Sequence, residues 1–253
     1  MSETNIRKPN ELSEATCLPL LCDVGSLHGK PVVVRRILDL FCGAGGAAMG
    51  LHRAFPEAEI VGVDIKEQPR YPFKFVRGDA MEYPLEGFDF VWASPPCQHF
   101  TKYKNARKDL PNRYPDLIVP VRKKLEGSGA WWVIENVVGA PLLNPIVLCG
   151  SMFGLDVRRH RLFEMNFWAL QPPCSHDWQP NRFPGGRSRE RGHARVKCRG
   201  TVEVGRWNIP IETQEAAMGI DWMELEELSE AIPPAYSEWV GKACRAIIST
   251  NGA

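Results

Sequence analysis

The sequence predicts an α/β fold: a mostly parallel sheet with helices on both faces. Three observations carry that expectation. Short runs rich in branched and aromatic residues recur between Arg36 and Asn136. Each ends in a loop holding Gly, Asp or Pro, and helical stretches stand between some of them. Strands alternating with helices are the pattern of a parallel sheet, whose strands are covered on both faces and read as nearly continuous apolar runs. Ligands of such sheets sit outside the carboxyl ends of the strands, so chemistry is expected in the loops that follow them.

The elements follow in order. Ile37 to Phe41 forms a first strand that ends in Cys42-Gly43-Ala44-Gly45-Gly46, and a helical stretch runs from Ala47 to Ala54. Further strands are expected at Glu59 to Asp64, Phe73 to Asp79 and Phe88 to Ala93. A helical candidate, Asp116 to Leu125, leads into Trp131 to Asn136. Residues 1–35 mix charge, Pro and Gly with one apolar run, Cys17 to Cys22, and read as a loosely packed lead-in. The main domain is expected over 36–167 and 208–253, with 168–207 between them as a small irregular lobe of Pro and Gly clusters. Helical periodicity returns from Glu212 to Ile248 and is broken at Pro233-Pro234, because a proline cannot continue a helix already begun.

Composition narrows the class. The chain has 253 residues, 44% of them hydrophobic and 24% charged, enough to bury a core and unlike a collagenous, low-complexity or disordered sequence. Met1-Ser2-Glu3-Thr4 lacks the basic-then-apolar pattern of a secretory signal. No uncharged apolar stretch reaches the ~18 residues that span a bilayer. Eight irregularly spaced cysteines read as reduced thiols rather than a disulfide framework. A cytoplasmic, monomeric protein with no membrane partner is expected. Net charge is only +1, but between Arg182 and Arg206 eight basic residues (Arg182, Arg187, Arg189, Arg191, Arg195, Lys197, Arg199 and Arg206) face two acidic ones, Glu190 and Glu203.

Several residues stand out as chemistry. The glycine loop between a strand and a helix lets backbone approach a ligand closely, although an ordinary tight turn would share it. Asp64 closes the second strand, where it can hold a ribose hydroxyl pair, and Asp79 follows the third, where it can accept from an exocyclic amine. Together they favour a nucleoside ligand, and spacing alone does not choose between NAD and S-adenosylmethionine. In Ser94-Pro95-Pro96-Cys97-Gln98 two prolines fix the backbone as it leaves a strand and hold the Cys97 thiol above the sheet edge, a candidate nucleophile. Cys149, between Val147-Leu148 and Gly150, reads instead as buried and inert. Glu135 ends an otherwise apolar strand, where a carboxyl group is costly unless it has a role, catalytic or as a turn cap. Arg158-Arg159-His160-Arg161, taken alone, would be a solvated charged face.

In order, the chain carries Asp39-Leu40-Phe41-Cys42-Gly43-Ala44-Gly45-Gly46, Asp64, Gly78-Asp79, Pro95-Pro96-Cys97-Gln98, Glu135-Asn136-Val137, Arg159-His160-Arg161 and Ala231-Ile232-Pro233-Pro234. That series resembles the cytosine-C5 DNA methyltransferases over roughly residues 36–167 and 210–245. The Pro-Pro-Cys-Gln and Glu-Asn-Val pair is specific to that resemblance, and the glycine loop is not. The resemblance implies a Rossmann-like S-adenosylmethionine-dependent methyltransferase sheet with helices on both faces, plus a small irregular recognition lobe.

It also implies roles. Cys97 would add to carbon 6 of cytosine, Glu135 would protonate or hydrogen-bond ring N3 and receive the exocyclic amine, Arg161 would hold the O2 edge, and Arg159 would support the loop or a phosphate. Phe41 would stack on the adenine of S-adenosylmethionine, with Asp64 on its ribose and Asp79 on its amine. Gly43, Gly45, Gly46, Ile65, Ala80 and Pro96 complete the implied cofactor contacts. Because carbons 5 and 6 are buried in the duplex stack, the base must be flipped out. Residues 98–113, from Gln98 through Lys102, Lys104, Arg107, Lys108 and Arg113, resemble the loop that closes behind the nucleophile, and their cations suit phosphates of double-stranded DNA.

The lobe corresponds to the family's target-recognition region and is short, which implies a site of about two to four base pairs. Its Trp178, Phe183 and Trp207 would either wedge into the gap left by the base or form a mini-core. The sequence departs from the family in three places: Ser229-Glu230 stand where a Gly-Asn is usual, Val157 replaces a Gln before the Arg-x-Arg, and an Arg is missing around Glu215 to Gly219. Other readings are a methyltransferase of free cytidine nucleotides or RNA, for which a short lobe suffices, and a silent binding subunit. The last predicts eroded reacting groups, whereas Cys97, Glu135 and Arg161 are all present. Restriction-modification in a bacterium or bacteriophage suits so compact an architecture. Cys174, His176, His193 and Cys198 lack the paired spacing of a zinc site, and no metal is assigned.

Overall fold

A computed structural model describes residues 33–100, 115–177 and 201–251. Among these, seven strands form one sheet: β1 (Arg36–Leu40), β2 (Glu59–Asp64), β3 (Lys74–Arg77), β4 (Phe90–Ala93), β5 (Trp131–Val137), β6 (Ile146–Leu148) and β7 (Arg161–Met165). Their order is β3-β2-β1-β4-β5-β7-β6. Strands β1 to β5 are parallel, and β7 lies antiparallel to both β5 and β6. The strand order reverses between β1 and β4, and a crevice at such a switch point is where open α/β sheets bind ligands.

Alternation along the strands divides the core. Ile37, Phe90, Trp92, Trp131, Val133 and Phe163 face α1 (Gly46–Ala54) and α5 (Pro234–Asn251). Leu38, Leu40, Val61, Val63, Val91, Ala93, Trp132 and Ile134 face α2 (Ile118–Glu126). Helices thus cover both faces, as buried parallel strands require. The helix α1 sits tightly on α5 because Gly50 leaves room for the Pro234 carbonyl and the Ser237 hydroxyl, while Gly241 leaves room for Ala54. Ser237 then donates to the Ala47 carbonyl at 2.8 Å.

The helical pattern expected from Glu212 to Ile248 is broken twice. After α3 (Ile211–Met218), Gly219 takes a left-handed conformation (φ 69°) that ends the helix, a break the periodicity did not reveal. The helix α4 (Leu225–Glu230) is followed by Ala231-Ile232-Pro233, and α5 starts at Pro234, a position where a missing N–H costs nothing. Val202, Ile209, Met218, Ile220, Met223 and Leu228 form a third cluster with Ala44 and Val157. Trp207, in contrast, is 88% exposed and belongs to no core. Among the described residues no helix is long and apolar enough to cross a membrane.

Candidate active site

Two neighbouring strand ends supply the reacting groups. Strand β4 runs into Ser94, whose N–H bonds the Leu40 carbonyl at 3.1 Å, and then into Pro95-Pro96-Cys97. The turn closes with the Phe100 N–H on the Cys97 carbonyl at 2.9 Å. Buried Asn136 on β5 locks the turn from beside it, its Nδ2 donating to the Pro95 carbonyl at 2.8 Å. Proline geometry and this one hydrogen bond place Cys97 at the mouth of the sheet, partly exposed and free.

Glu135 precedes Asn136, so it projects to the opposite face of β5 and sits opposite Phe163 of β7. Its carboxylate Oε1 lies 3.3 Å from Arg161 Nε. It also accepts from the Ser94 hydroxyl, whose oxygen in turn accepts from Trp92 Nε1 at 2.9 Å. Burial outweighs these partners and raises the Glu135 carboxyl above its ordinary range. The Cys97 thiol is raised as well, by burial first and then by the negative charge of Glu135, while Arg161 pulls it down and Glu230 pushes it up. Cys97, Glu135 and Arg161 therefore share one local field. A change of protonation at Glu135 is felt at the sulfur.

Arg159 plays a different part. Its Nη2 donates to the Ser229 carbonyl, and its own carbonyl accepts from the Tyr236 hydroxyl at 2.7 Å. Its enclosed Nε has no partner among the described residues. Burial, with Arg161 nearby, pushes this guanidinium down to about 9, so it stays charged at neutral pH. Arg159 ties the Arg-His-Arg strand to the segment before α5, through the same Ser229 that departs from the family pattern.

The nucleoside-type residues gather at the ends of β1, β2 and β3. Asp64 is oriented by two backbone donors, Gly43 N–H at 3.1 Å and Lys66 N–H at 2.9 Å. Exposed Asp79 accepts from Met81 N–H at 2.8 Å, and Ala80 behind it is buried. Ile65 stands 67% exposed beside Asp64, and Phe41 holds a left-handed backbone (φ 57°) that is costly for an aromatic residue. The three loop glycines do separate work. A Cβ on Gly43 would meet only open space, whereas one on Gly45 would strike Pro72 at 2.6 Å and one on Gly46 the Ile232 carbonyl at 2.6 Å. Gly43 faces the crevice; Gly45 and Gly46 are needed for the chain to pack on itself. Pro96 is half-buried beside Cys97.

Four residues escaped assignment from the sequence. Ser94 and Asn136 position Glu135 and the proline turn, and Tyr236 anchors Arg159. Asp39 is fully buried in β1, takes the Tyr71 hydroxyl at 3.2 Å and keeps Oδ1 unpartnered among the described residues. A lone acid inside Ile37-Leu38-Asp39-Leu40 carries the same signal that marked Glu135. Several expected contacts lie outside the described residues: Lys102, Lys104 and Arg107 in the loop after Gln98, and Arg182, Arg187, Arg189, Arg191, Arg195, Lys197 and Arg199 in the lobe. Trp178, Phe183, His193 and Cys198 lie outside them too, as does the lead-in through residue 32.

No protein-family model matches the chain, and no curated protein matches its sequence. Its fold is similar to that of the Entamoeba histolytica methyltransferase EhMeth, with a TM-score of 0.51 and 12% identity over 87% of this chain and 99% of that one. The plantazolicin methyltransferase BpumL, solved with SAH, superposes at a TM-score of 0.29 and 15% identity over 42% of this chain and 40% of its own. Coclaurine N-methyltransferase superposes at 0.28 and 14% identity over 41% and 30%. The first likeness establishes the fold: the chain has a Rossmann-like α/β sheet shared with the methyltransferase EhMeth.

Proposed function

We infer that the protein is a cytosine-C5 methyltransferase acting on double-stranded DNA with S-adenosylmethionine. The observation that carries this reading is the convergence of Cys97, Glu135 and Arg161 in one partly enclosed field at the ends of β4, β5 and β7. The cofactor fits the residues on the other side of the switch point. Gly43 leaves open space, Asp64 is pre-oriented for a hydroxyl pair, and Ile65 and Phe41 offer apolar surface. S-adenosylmethionine bound there would supply an electrophilic methyl group on a sulfonium for carbon 5 to attack.

The protein side chains then account for the rest. Cys97, partly exposed, gives its proton to water, and its sulfur bonds to carbon 6, shifting electron density to carbon 5 and ring N3. Glu135, whose carboxyl burial biases toward its protonated form, donates to N3 and drains that charge. Arg161 sits beside Glu135, where it can meet the O2 edge. After carbon 5 gains the methyl group, water takes its proton, Cys97 leaves carbon 6 as the thiolate, and N3 returns its proton to Glu135, so the aromatic ring is restored. The basic residues after Gln98 and in the lobe support a polyanionic substrate. Expression in a host without cytosine methylation, followed by bisulfite sequencing, is expected to leave unconverted cytosines at one short motif. Conversion at every cytosine would overturn the DNA reading.

A further inference from the structure

Beside the strand that carries Arg161, three chain segments bring together two thiols and two imidazoles. Cys149 follows β6, His160 lies between Arg159 and Arg161, and Cys174 and His176 belong to the irregular segment after β7. Their ligand atoms all lie within 4.8 Å of one another. His176 Nε2 is 3.4 Å from Cys149 Sγ and 3.3 Å from Cys174 Sγ, and His160 Nε2 is 3.6 Å from Cys174 Sγ. A zinc ion with bonds of about 2.3 Å to sulfur and about 2.05 Å to nitrogen in a tetrahedron separates S from N by about 3.6 Å. Three of the six edges are thus close to those of such a tetrahedron, and the other three lie within 4.8 Å.

Hydrogen bonds alone do not explain the arrangement well. One ring nitrogen carries either a single proton or a single lone pair, yet His176 Nε2 faces two sulfurs at nearly equal distance. A shared cation satisfies both. The chain around it points the same way. Residues 168–177 contain no helix or strand, and Trp168 and Leu170 are 63% and 78% exposed, so little apolar burial holds the segment down. Its protein anchors include Gln171 Oε1, which accepts from Val147 N–H at 2.7 Å, and the His176 carbonyl, which accepts from Arg158 Nη2 at 3.3 Å. Small, poorly cored segments are commonly held by a structural metal.

We propose that Cys149, His160, Cys174 and His176 form a closed structural zinc site that fastens the start of the lobe to the strand carrying Arg159 and Arg161. Two thiolates and two neutral imidazoles leave the occupied site uncharged, and four protein ligands in a tetrahedron favour zinc over magnesium or calcium. Buried Cys149 supplies the inner ligand and exposed Cys174 the outer one. The sequence spacing concealed the site, since Cys174 and His176 were paired there with His193 and Cys198 rather than with residues upstream. Zinc content does not depend on the methyltransferase reading, so the two can fail separately.

The test is metal analysis of the full chain purified under reducing conditions without chelator. One tightly bound zinc per chain is expected. Replacement by cobalt should give the intense visible bands of a tetrahedral ion together with thiolate-to-cobalt charge transfer. Cys174→Ser and His176→Asn should each lose most of the metal, while Cys97→Ser keeps it. Wild-type protein without bound zinc and without cobalt bands would overturn the proposal. So would full zinc content in both ligand variants, or a Cys149–Cys174 disulfide found by mass in freshly purified protein.

Discussion

Two buried glutamates, Glu164 and Glu135, occupy neighbouring rungs of the β5–β7 ladder, one on each face of the sheet, and each meets an arginine. On the α2 face, Arg122 grips Glu164 through two contacts, Nε at 2.5 Å and Nη2 at 2.7 Å. The Leu143 N–H fills the carboxylate further at 2.8 Å, and the Pro141 carbonyl takes a guanidinium proton at 3.1 Å. On the α1 and α5 face, Arg161 meets Glu135 through Nε at 3.3 Å and spends Nη1 on the His160 carbonyl at 2.9 Å. The first pair is a closed fork, which fixes geometry. The second is slack, and its carboxyl is raised despite the neighbouring cation. A buried acid beside a thiol, held by a longer contact and biased toward its protonated form, is suited to exchange a proton with a ligand.

That contrast can be broken or sharpened by substitution. The largest expected effect is on turnover: Glu135→Gln should lower kcat roughly 10²–10⁴-fold, the range for losing a positioned proton donor, with cofactor affinity little changed. Loss confined to KM would contradict the assignment. Next comes stability. Arg122→Ala leaves Glu164 buried without its partner and should cost roughly 3–5 kcal/mol in urea unfolding. Arg161→Ala should cost clearly less, because Glu135 already tends toward its neutral form, while activity falls. Equal losses would erase the distinction between the pairs.

The smallest effect is the pH dependence of stability. The Glu135 carboxyl is raised above 4.5 in the folded protein, so the folded state binds this proton more tightly than the unfolded one. Its contribution is full below pH 4.5 and is lost as pH rises through the folded value. Wild type should therefore lose stability relative to Glu135→Gln as pH rises above 4.5, measured from urea midpoints. The opposite slope would mean the carboxyl is held ionised.

Much of this architecture was legible in the sequence because short apolar runs in parallel strands leave a clear signature. Strands β2 and β5 fall where Glu59 to Asp64 and Trp131 to Asn136 placed them, and α2 shifts by only about one turn or less from Asp116 to Leu125. Cys97 and Glu135 stand out in the sequence, a thiol fixed by two prolines at a strand end and an acid in an apolar strand. Arg161 stands out only through the resemblance of the whole motif series. What stayed hidden depends on contacts distant in sequence. Strand β7 turns antiparallel, and its Arg161-Leu162-Phe163 gives no periodic signal of that direction. Gly46 carries a packing constraint that the sequence does not show, the Ile232 carbonyl passing over it. Asn136 looks like part of a motif until its side chain is found on Pro95.

The most direct measurement is to offer the enzyme S-adenosylmethionine and duplex DNA carrying 5-fluorocytosine, then search for a denaturation-resistant complex by mass spectrometry. Fluorine in place of the carbon 5 proton blocks the final elimination, so the account predicts a stable one-to-one adduct mapping to the peptide that contains Cys97, absent in Cys97→Ser. Methylation of ordinary DNA without any such adduct, or an adduct on another residue, would contradict it.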